Sequence, residues 1–184
     1  PQKRAGHTTV LYNDKLIVYG GANGGSTYSD IQILNLNDMV WEKQPKLTGD
    51  ELPPRAYHQS ILLEMGNKNY MFSFGGNVHN ASTAHLVDLD TFEVKGIQIV
   101  GNTPPTLSNF TLLKTDDGDL IIIGGQVGEL STNLVLALNV PRTEIEQPQP
   151  AQPETPQRKF DMKNVRKVDS VTCKLVMADD VDEI

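Results

Sequence analysis

The residues that could support catalysis or metal binding are four histidines, one cysteine and scattered carboxylates. His79 and His85 lie six residues apart, which is not a typical spacing for zinc ligands. The run Asp116-Asp117-Gly118-Asp119 resembles the opening of a calcium loop, but no Glu stands at the twelfth position. The chain also has no phosphate-binding loop, nucleophile elbow or Cys-x-x-Cys pair. We therefore expect no catalytic residue, no metal site and no cofactor.

Composition narrows the possible partners and compartment. The 184 residues carry a formal net charge of −7, which disfavours binding to a nucleic-acid backbone. No stretch approaches the roughly 18 apolar residues of a membrane helix. The single cysteine, Cys173, excludes an internal disulfide and fits a reducing compartment. These features predict a cytoplasmic protein that binds neither nucleic acid nor membranes.

Three apolar runs, "LIVY", "MFSF" and "LIII", each end at a double glycine, and these pairs are Gly20-Gly21, Gly75-Gly76 and Gly124-Gly125. The sequences upstream also repeat. Arg4, Arg55 and Thr106 are each 51 residues apart, and the same spacing separates His7, His58 and Asn109. A period near 50 residues is typical of a propeller blade.

Each repeat has the pattern strand, hairpin, strand, Gly-Gly, loop, strand, turn and edge strand. In the first repeat we predict strands at residues 8–12, 15–19, 31–36 and 40–43. These runs are rich in β-branched and aromatic residues, as strands prefer. The second strand of each repeat is apolar on nearly every position, which indicates burial between packed sheets. The predicted fold class is therefore all-β.

The first repeat shows Arg-x-Gly-His, a strand ending in Gly-Gly, an Asp before the next strand and a Trp after it: Arg4, Gly6, His7, Gly20, Gly21, Asp30 and Trp41. This pattern resembles the kelch repeat. The second repeat keeps Arg55, His58, Gly75 and Gly76, with Tyr57 in place of Gly6 and Val94 in place of Trp41. The third keeps only Gly124, Gly125 and the apolar pattern. The resemblance implies about three four-stranded antiparallel blades of a β-propeller, at residues 1–50, 51–101 and 102–144.

Three blades are fewer than the roughly four to eight that close a propeller. We expect two uncovered sheet faces, lined by residues such as Ile17, Phe74 and Ile122. The favoured interpretation is a fragment of a longer propeller. The alternative is self-association or a partner chain that completes it, including a homodimer of two three-bladed halves.

Beyond the blades, residues 145–159 are rich in Pro and Gln and read as an extended linker. Residues 160–184 form a charged tail in which 170–178 could be a strand. We interpret the tail as solvated, with a segment docked by a partner as the alternative.

Without catalytic residues, the remaining inference is recognition by loops on a rigid scaffold. The loops after the double glycines differ in sequence while the strands repeat. Candidate protein-binding residues are Asn23, Tyr28, Arg55, Tyr57, Asn77, His79 and Gln126. In kelch adaptors the equivalents of Arg4 and Arg55 either grip acidic peptides at the propeller mouth or act as internal anchors.

Ten residues are assigned structural roles in the repeat: Arg4, His7, Gly20, Gly21, Trp41, His58, Gly75, Gly76, Gly124 and Gly125. The predicted function is a non-catalytic protein-binding scaffold or adaptor. One alternative is a structural subunit completed by another chain. A less favoured one is a fragment of a galactose-oxidase-like copper enzyme, because the only cysteine, Cys173, lies outside the blades.

Overall fold

A computed structural model describes residues 1–77, 83–101, 104–139 and 172–177. All regular structure in these ranges is β-strand, which confirms the predicted fold class. No helix in this part of the chain is long and apolar enough to cross a membrane. The strands form three consecutive blades, each built around antiparallel strands from one sequence repeat.

The first blade contains β1 (Thr8–Tyr12), β2 (Lys15–Tyr19), the short hairpin β3 (Ala22–Asn23) and β4 (Ser26–Thr27), then β5 (Ile31–Asn35) and β6 (Val40–Trp41). Its sheet order is β1-β2-β5-β6, antiparallel throughout. The first two strands have the predicted bounds, and the last two end one and two residues earlier than predicted.

The second blade follows β7 (Thr48–Gly49) and contains β8 (Gln59–Met65), β9 (Lys68–Phe74), β10 (Thr83–Asp88) and β11 (Glu93–Gly101). These four strands pair in chain order as an antiparallel sheet. The short β7 runs parallel to the start of β11. Its strands, of 7, 7, 6 and 9 residues, are the longest of the three blades.

The third blade contains β12 (Leu107–Ser108), β13 (Thr111–Lys114), β14 (Leu120–Ile123), the short hairpin β15 (Gln126–Val127) and β16 (Leu130–Ser131), and β17 (Val135–Asn139). Strands β13, β14 and β17 form the antiparallel part of this blade. The fourth place is taken by β18 (Thr172–Met177), which runs parallel to β17. Since a blade's own outer strand would be antiparallel to its neighbour, β18 is a substitute from the tail.

Strand β18 also pairs antiparallel with β11, so it joins the second and third blades. This pairing contradicts the interpretation of the whole tail as solvated, because six of its residues belong to a sheet. The sequence alone suggested a solvated tail, because the strands that pair with β18 lie more than 30 residues away from it in the chain. Residues 145–159, the predicted linker, lie outside the described part of the chain.

Two apolar cores lie between the blades. Because side chains alternate along a strand, neighbouring residues of β9 point to different cores. Met71 packs with the first blade, in a core that includes Val10, Ile17, Tyr19, Ile31, Ile33, Val87 and Val94. Phe72 packs with the third, in a core that includes Leu86, Ile97, Phe110, Leu120, Ile122 and Leu136. The prediction that the second strands are buried between sheets is confirmed for β9, since both residues are fully buried.

The expected lining of the uncovered faces was wrong. Ile17, Phe74 and Ile122 are at most 1% exposed, because they point into the two cores. On the outer face of the first blade, register places four apolar residues in one row across the sheet: Leu11, Leu16, Leu34 and Trp41. On the third blade, Leu113 and Ile123 are 49% and 42% exposed. Among the residues that the structure describes, those two faces are the uncovered ones.

Candidate functional site

One end of the blades is organised around three residues with left-handed backbone. Gly6, Tyr57 and Asn109 have φ values of 67°, 60° and 54°. The amide of Tyr57 donates to the carbonyl of Gly6 (2.7 Å), and the amide of Asn109 donates to the carbonyl of Tyr57 (3.0 Å). The three residues therefore occupy the same position in successive repeats and link the blades through their main chains.

This equivalence corrects the alignment of the third repeat. Gly76 lies against the carbonyl of Ala56 and the backbone of His58, whereas Gly125 lies against the carbonyl of Ser108 and Phe110. Phe110, not Asn109, therefore takes the histidine position. By the same shift, Leu107 rather than Thr106 takes the place of Arg55. Leu107 lies 52 residues after Arg55, whereas Arg55 lies 51 residues after Arg4. An alignment that assumes a constant spacing of 51 residues therefore misplaces the third repeat by one residue.

Arg4 and Arg55 make the same bond in their own repeats. Arg4 donates to the carbonyl of Gly20 (2.8 Å), and Arg55 donates to the carbonyl of Gly75 (2.9 Å). Each arginine thus ties the segment before the first strand to the double glycine at the end of the second. In the third repeat an apolar residue, Leu107, replaces this anchor and is fully buried.

The remaining contacts of the two arginines differ. Arg4 forms a two-pronged ion pair with Asp30 (2.7 and 2.9 Å), and its guanidinium lies 4.5 Å from the ring centre of Tyr28. The hydrogen bonds from Arg4 hold the pKa of Asp30 below its ordinary value. Arg55 instead contacts Nδ1 of His85 at 2.7 Å. Its burial lowers the pKa of its guanidinium.

Arg55 is fully buried, which contradicts its prediction as a partner contact. The sequence motif alone left both roles open. Burial decides between them, because a guanidinium enclosed by two blades cannot reach a binding surface. Arg55 is therefore an internal anchor in this structure.

The two motif histidines have different surroundings. His58 is 1% exposed, with Nε2 2.9 Å from the Thr8 hydroxyl, and burial lowers its pKa to about 3. Burial likewise lowers the pKa of His85 to about 4. His58 lies between two blades, whereas His7 is exposed on the uncovered side of the first. Trp41, another predicted structural residue, is 41% exposed on that side.

The predicted loop residues lie at the end of the blades that carries Tyr57. Asn23 is exposed in the hairpin of β3 and β4. Asn77 is exposed, and its side-chain oxygen accepts from the amide of Ala56 (2.7 Å). The side-chain oxygen of Gln126 accepts from Nδ2 of Asn109 (2.8 Å). In each repeat, therefore, the loop after the double glycine lies against the segment that precedes the first strand. His79 falls outside the described residues.

Tyr57 is the exposed aromatic residue of this end. Its side chain is 44% exposed, and its ring lies against Gly6, where any Cβ would come within 2.9 Å of the ring. Asn109, which we did not predict as a binding residue, stands at the equivalent position. The available signal was its type, because Asn tolerates left-handed backbone better than most residues.

Beside these loops is an open cleft of about 610 Å³, lined by Pro1, Gln2, Arg4, Thr27, Tyr28, Ser29, Asp30, Gln32 and Gln44. The charges of Arg4 and Asp30 are directed at each other, so the cleft presents mainly neutral polar groups. Within the described ranges, no group of three His, Cys, Asp or Glu residues could hold a metal ion.

Comparison with known proteins agrees with this architecture. The KLHDC2/KLHL20/DRC7 Kelch-repeats domain matches residues 1–80. The Rho GTPase-activating protein gacHH of Dictyostelium discoideum is 32% identical over 156 residues, covering 74% of this chain and 9% of that protein. Kelch domain-containing protein 1 of Mus musculus is 31% identical over 141 residues, covering 62% of this chain and 34% of that protein.

Kelch repeat-containing protein 2 of Saccharomyces cerevisiae (strain ATCC 204508 / S288c) is 25% identical over 145 residues, covering 72% of this chain and 16% of that protein. The chain spans at most about a third of the length of these relatives. Three structural repeats, their double glycines and these matches lead to one conclusion. The chain belongs to the kelch-repeat family.

Proposed function

We propose that this chain is a non-catalytic protein-binding module that acts as a scaffold or adaptor through the loop end of its blades. Kelch repeats form protein-interaction β-propeller modules, which is the general basis of the proposal. The observation that carries it is the position of Tyr57. This residue is exposed, yet main-chain hydrogen bonds to two neighbouring repeats fix its backbone.

The surface around Tyr57 suits recognition of a protein. Tyrosine offers a large apolar ring and a hydroxyl at low entropic cost, and it is enriched in protein interfaces. Asn23, Asn77, Asn109 and Gln126 add amide groups that donate and accept hydrogen bonds. Tyr28 lies half-buried beside Arg4 at the rim of the cleft. The strands form a rigid scaffold, and the polar loops, whose sequences differ between repeats, give it a specific binding surface.

The absence of catalysis is part of the proposal. Its support is the pattern of residues: the buried His58 contacts a hydroxyl of the first repeat, and the buried His85 contacts the Arg55 guanidinium within the second repeat. A cytoplasmic location and the lack of nucleic-acid binding also remain proposals, supported by the single cysteine and the acidic charge.

Site-specific photocrosslinking of the full chain tests the binding surface. A photoreactive amino acid is placed at Tyr57, at Asn23 or, as a control, at Asp117. The control lies in the hairpin between β13 and β14, at the opposite end of its blade from Gly124. We expect the same protein partner to be captured from Tyr57 and Asn23 but not from Asp117. Capture from Asp117 alone would contradict the proposal.

A second candidate is a structural subunit whose propeller is completed by another chain. The two uncovered apolar faces favour it, because soluble proteins rarely leave such contiguous surfaces exposed. Light scattering of the purified chain distinguishes self-completion, since a homodimer predicts twice the monomer mass. Leu113→Ser, on the exposed face of the third blade, should then weaken the dimer. A monomer at all accessible concentrations excludes the homodimer.

A further inference from the structure

The junction between the second and third blades contains a strand held on both sides. Five residues of β18 pair antiparallel with β11, and three pair parallel with β17. Cys173 and Lys174 belong to both ladders: Cys173 is in register with Gly101 and Leu138, and Lys174 with Val100 and Asn139. At these two residues β18 is a central strand, although it comes from the end of the chain.

The two edges that receive β18 need a partner for physical reasons. An open edge presents unpaired N–H and C=O groups, and such edges attract additional strands. Strand β11 uses one side for β10. Its other side is paired by the short β7 at Glu93 and Val94 and by β18 at Ile97–Gly101. Strand β17 uses one side for β14. The side of β11 that faces away from β10 and the side of β17 that faces away from β14 therefore border the same gap, which β18 fills.

We propose that the outer edges of β11 and β17 form an acceptor site for one extended peptide strand, which β18 occupies and which a strand supplied by another molecule can occupy instead. The acceptor makes its contacts through the main chain, as in other cases of strand addition. It fixes the direction of the peptide, antiparallel to β11 and parallel to β17. Proline is excluded at the two positions that are paired on both sides. This site is separate from the loop end and does not depend on the proposed function.

Hydrogen exchange of the full chain tests the acceptor site. Lys174→Pro removes a main-chain donor from a position paired on both sides, whereas Lys174→Thr keeps the donor and a strand-forming side chain. We expect the proline variant to exchange its amides at 97–101 and 137–139 at least about ten-fold faster. The threonine variant should exchange like the parent.

The decisive step is to add a synthetic peptide of residues 170–179, with serine at position 173, to the Lys174→Pro chain. We expect it to restore protection at 97–101, whereas the same peptide with proline at position 174 should not. Loss of protection that the peptide does not reverse would overturn the proposal, and so would unchanged exchange in the proline variant.

If amides of β2 also lose protection, the proline variant has unfolded more widely. Binding of the fluorescent peptide to the unmodified chain then provides the test. Saturable binding that the unlabelled peptide competes away supports a displaceable β18. Absence of binding at an excess of peptide overturns it.

Discussion

The ring of Tyr19 packs edge-to-face against the ring of His58, with centroids 4.8 Å apart and planes 68° apart. Phe74 and Phe110 repeat this relationship at the next junction, at 5.7 Å and 64°. In both pairs the last residue of a blade's second strand contacts the residue just before the next blade's first strand. The contact is therefore part of how one repeat is joined to the next, and it accounts for the burial of His58.

Stability should fall steeply in mild acid because His58 and His85 are buried in the neutral form. Their folded pKa values, about 3 and about 4, lie below the ordinary value of 6.5. The unfolded chain therefore binds more protons below pH 6.5, and each histidine costs up to about 1.4 kcal/mol of unfolding free energy per pH unit. Urea unfolding from pH 7.5 to pH 4.5 measures this slope, which should be near zero above pH 7 for these groups.

The third repeat suggests a variant that tests this pH dependence, because it has Phe110 where the second repeat has His58. His58→Phe places at this site the residue that Phe110 supplies at the equivalent position. The variant should show a smaller slope below pH 6.5, although loss of the bond to Thr8 lowers stability at neutral pH. His7→Phe, at the exposed equivalent position, controls for losing a histidine as such. Equal slopes in the parent and His58→Phe would contradict the assignment.

The three first glycines of the pairs should not be equally sensitive to substitution. Added side chains at Gly20 and Gly75 would collide with backbone carbonyls of the next repeat, those of Arg55 and Leu107. At Gly124 the nearest atom would be 3.5 Å away, so only the φ of +65° opposes a side chain. We expect Gly20→Ala to cost clearly more than the roughly 1 kcal/mol expected for Gly124→Ala. Thermal unfolding measures both, and equal losses would show that the collision is relieved.

Arg55 and Arg4 form a second matched pair. Because Arg55 is fully buried, Arg55→Ala should leave unpaired groups in the interior and cost roughly 3 kcal/mol or more. Arg4→Ala removes the same carbonyl bond and the ion pair with Asp30, closer to solvent, and should cost about 1 kcal/mol. Chemical denaturation of both variants provides the comparison. An equal or larger loss for Arg4→Ala would refute the anchoring role assigned to burial.

We expect the ring of Tyr57 to contribute to partner binding, although the left-handed backbone of this residue is strained. Its φ of 60° suits glycine, so Tyr57→Gly should be about 1 kcal/mol more stable than Tyr57→Ala. Both variants lack the ring and should lose partner capture to a similar extent. Denaturation and crosslinking from Asn23 separate the two effects. If the alanine variant retains capture, the ring is not a partner contact.

Local patterns in the sequence were enough to predict the strands that form each blade. The apolar runs at residues 8–12 and 15–19 predicted two strands with correct bounds, since alternation and β-branched residues are local signals. The double glycines identified the repeat because each marks the end of a second strand. The family followed from the same residues.

Tertiary structure decided what depends on neighbouring blades. The third repeat is one residue longer in spacing, so Phe110 and not Asn109 is equivalent to His58. Only the contacts between neighbouring blades reveal this equivalence. Equivalent arginines of two repeats gave a fully buried Arg55 and an Arg4 that lies nearer to solvent, because only Arg55 has a blade on both sides. Pairing of β18 joins residues far apart in the chain, and no local pattern specifies such a partner. Sequence thus determines each blade, and packing between blades determines which residues remain available to a partner.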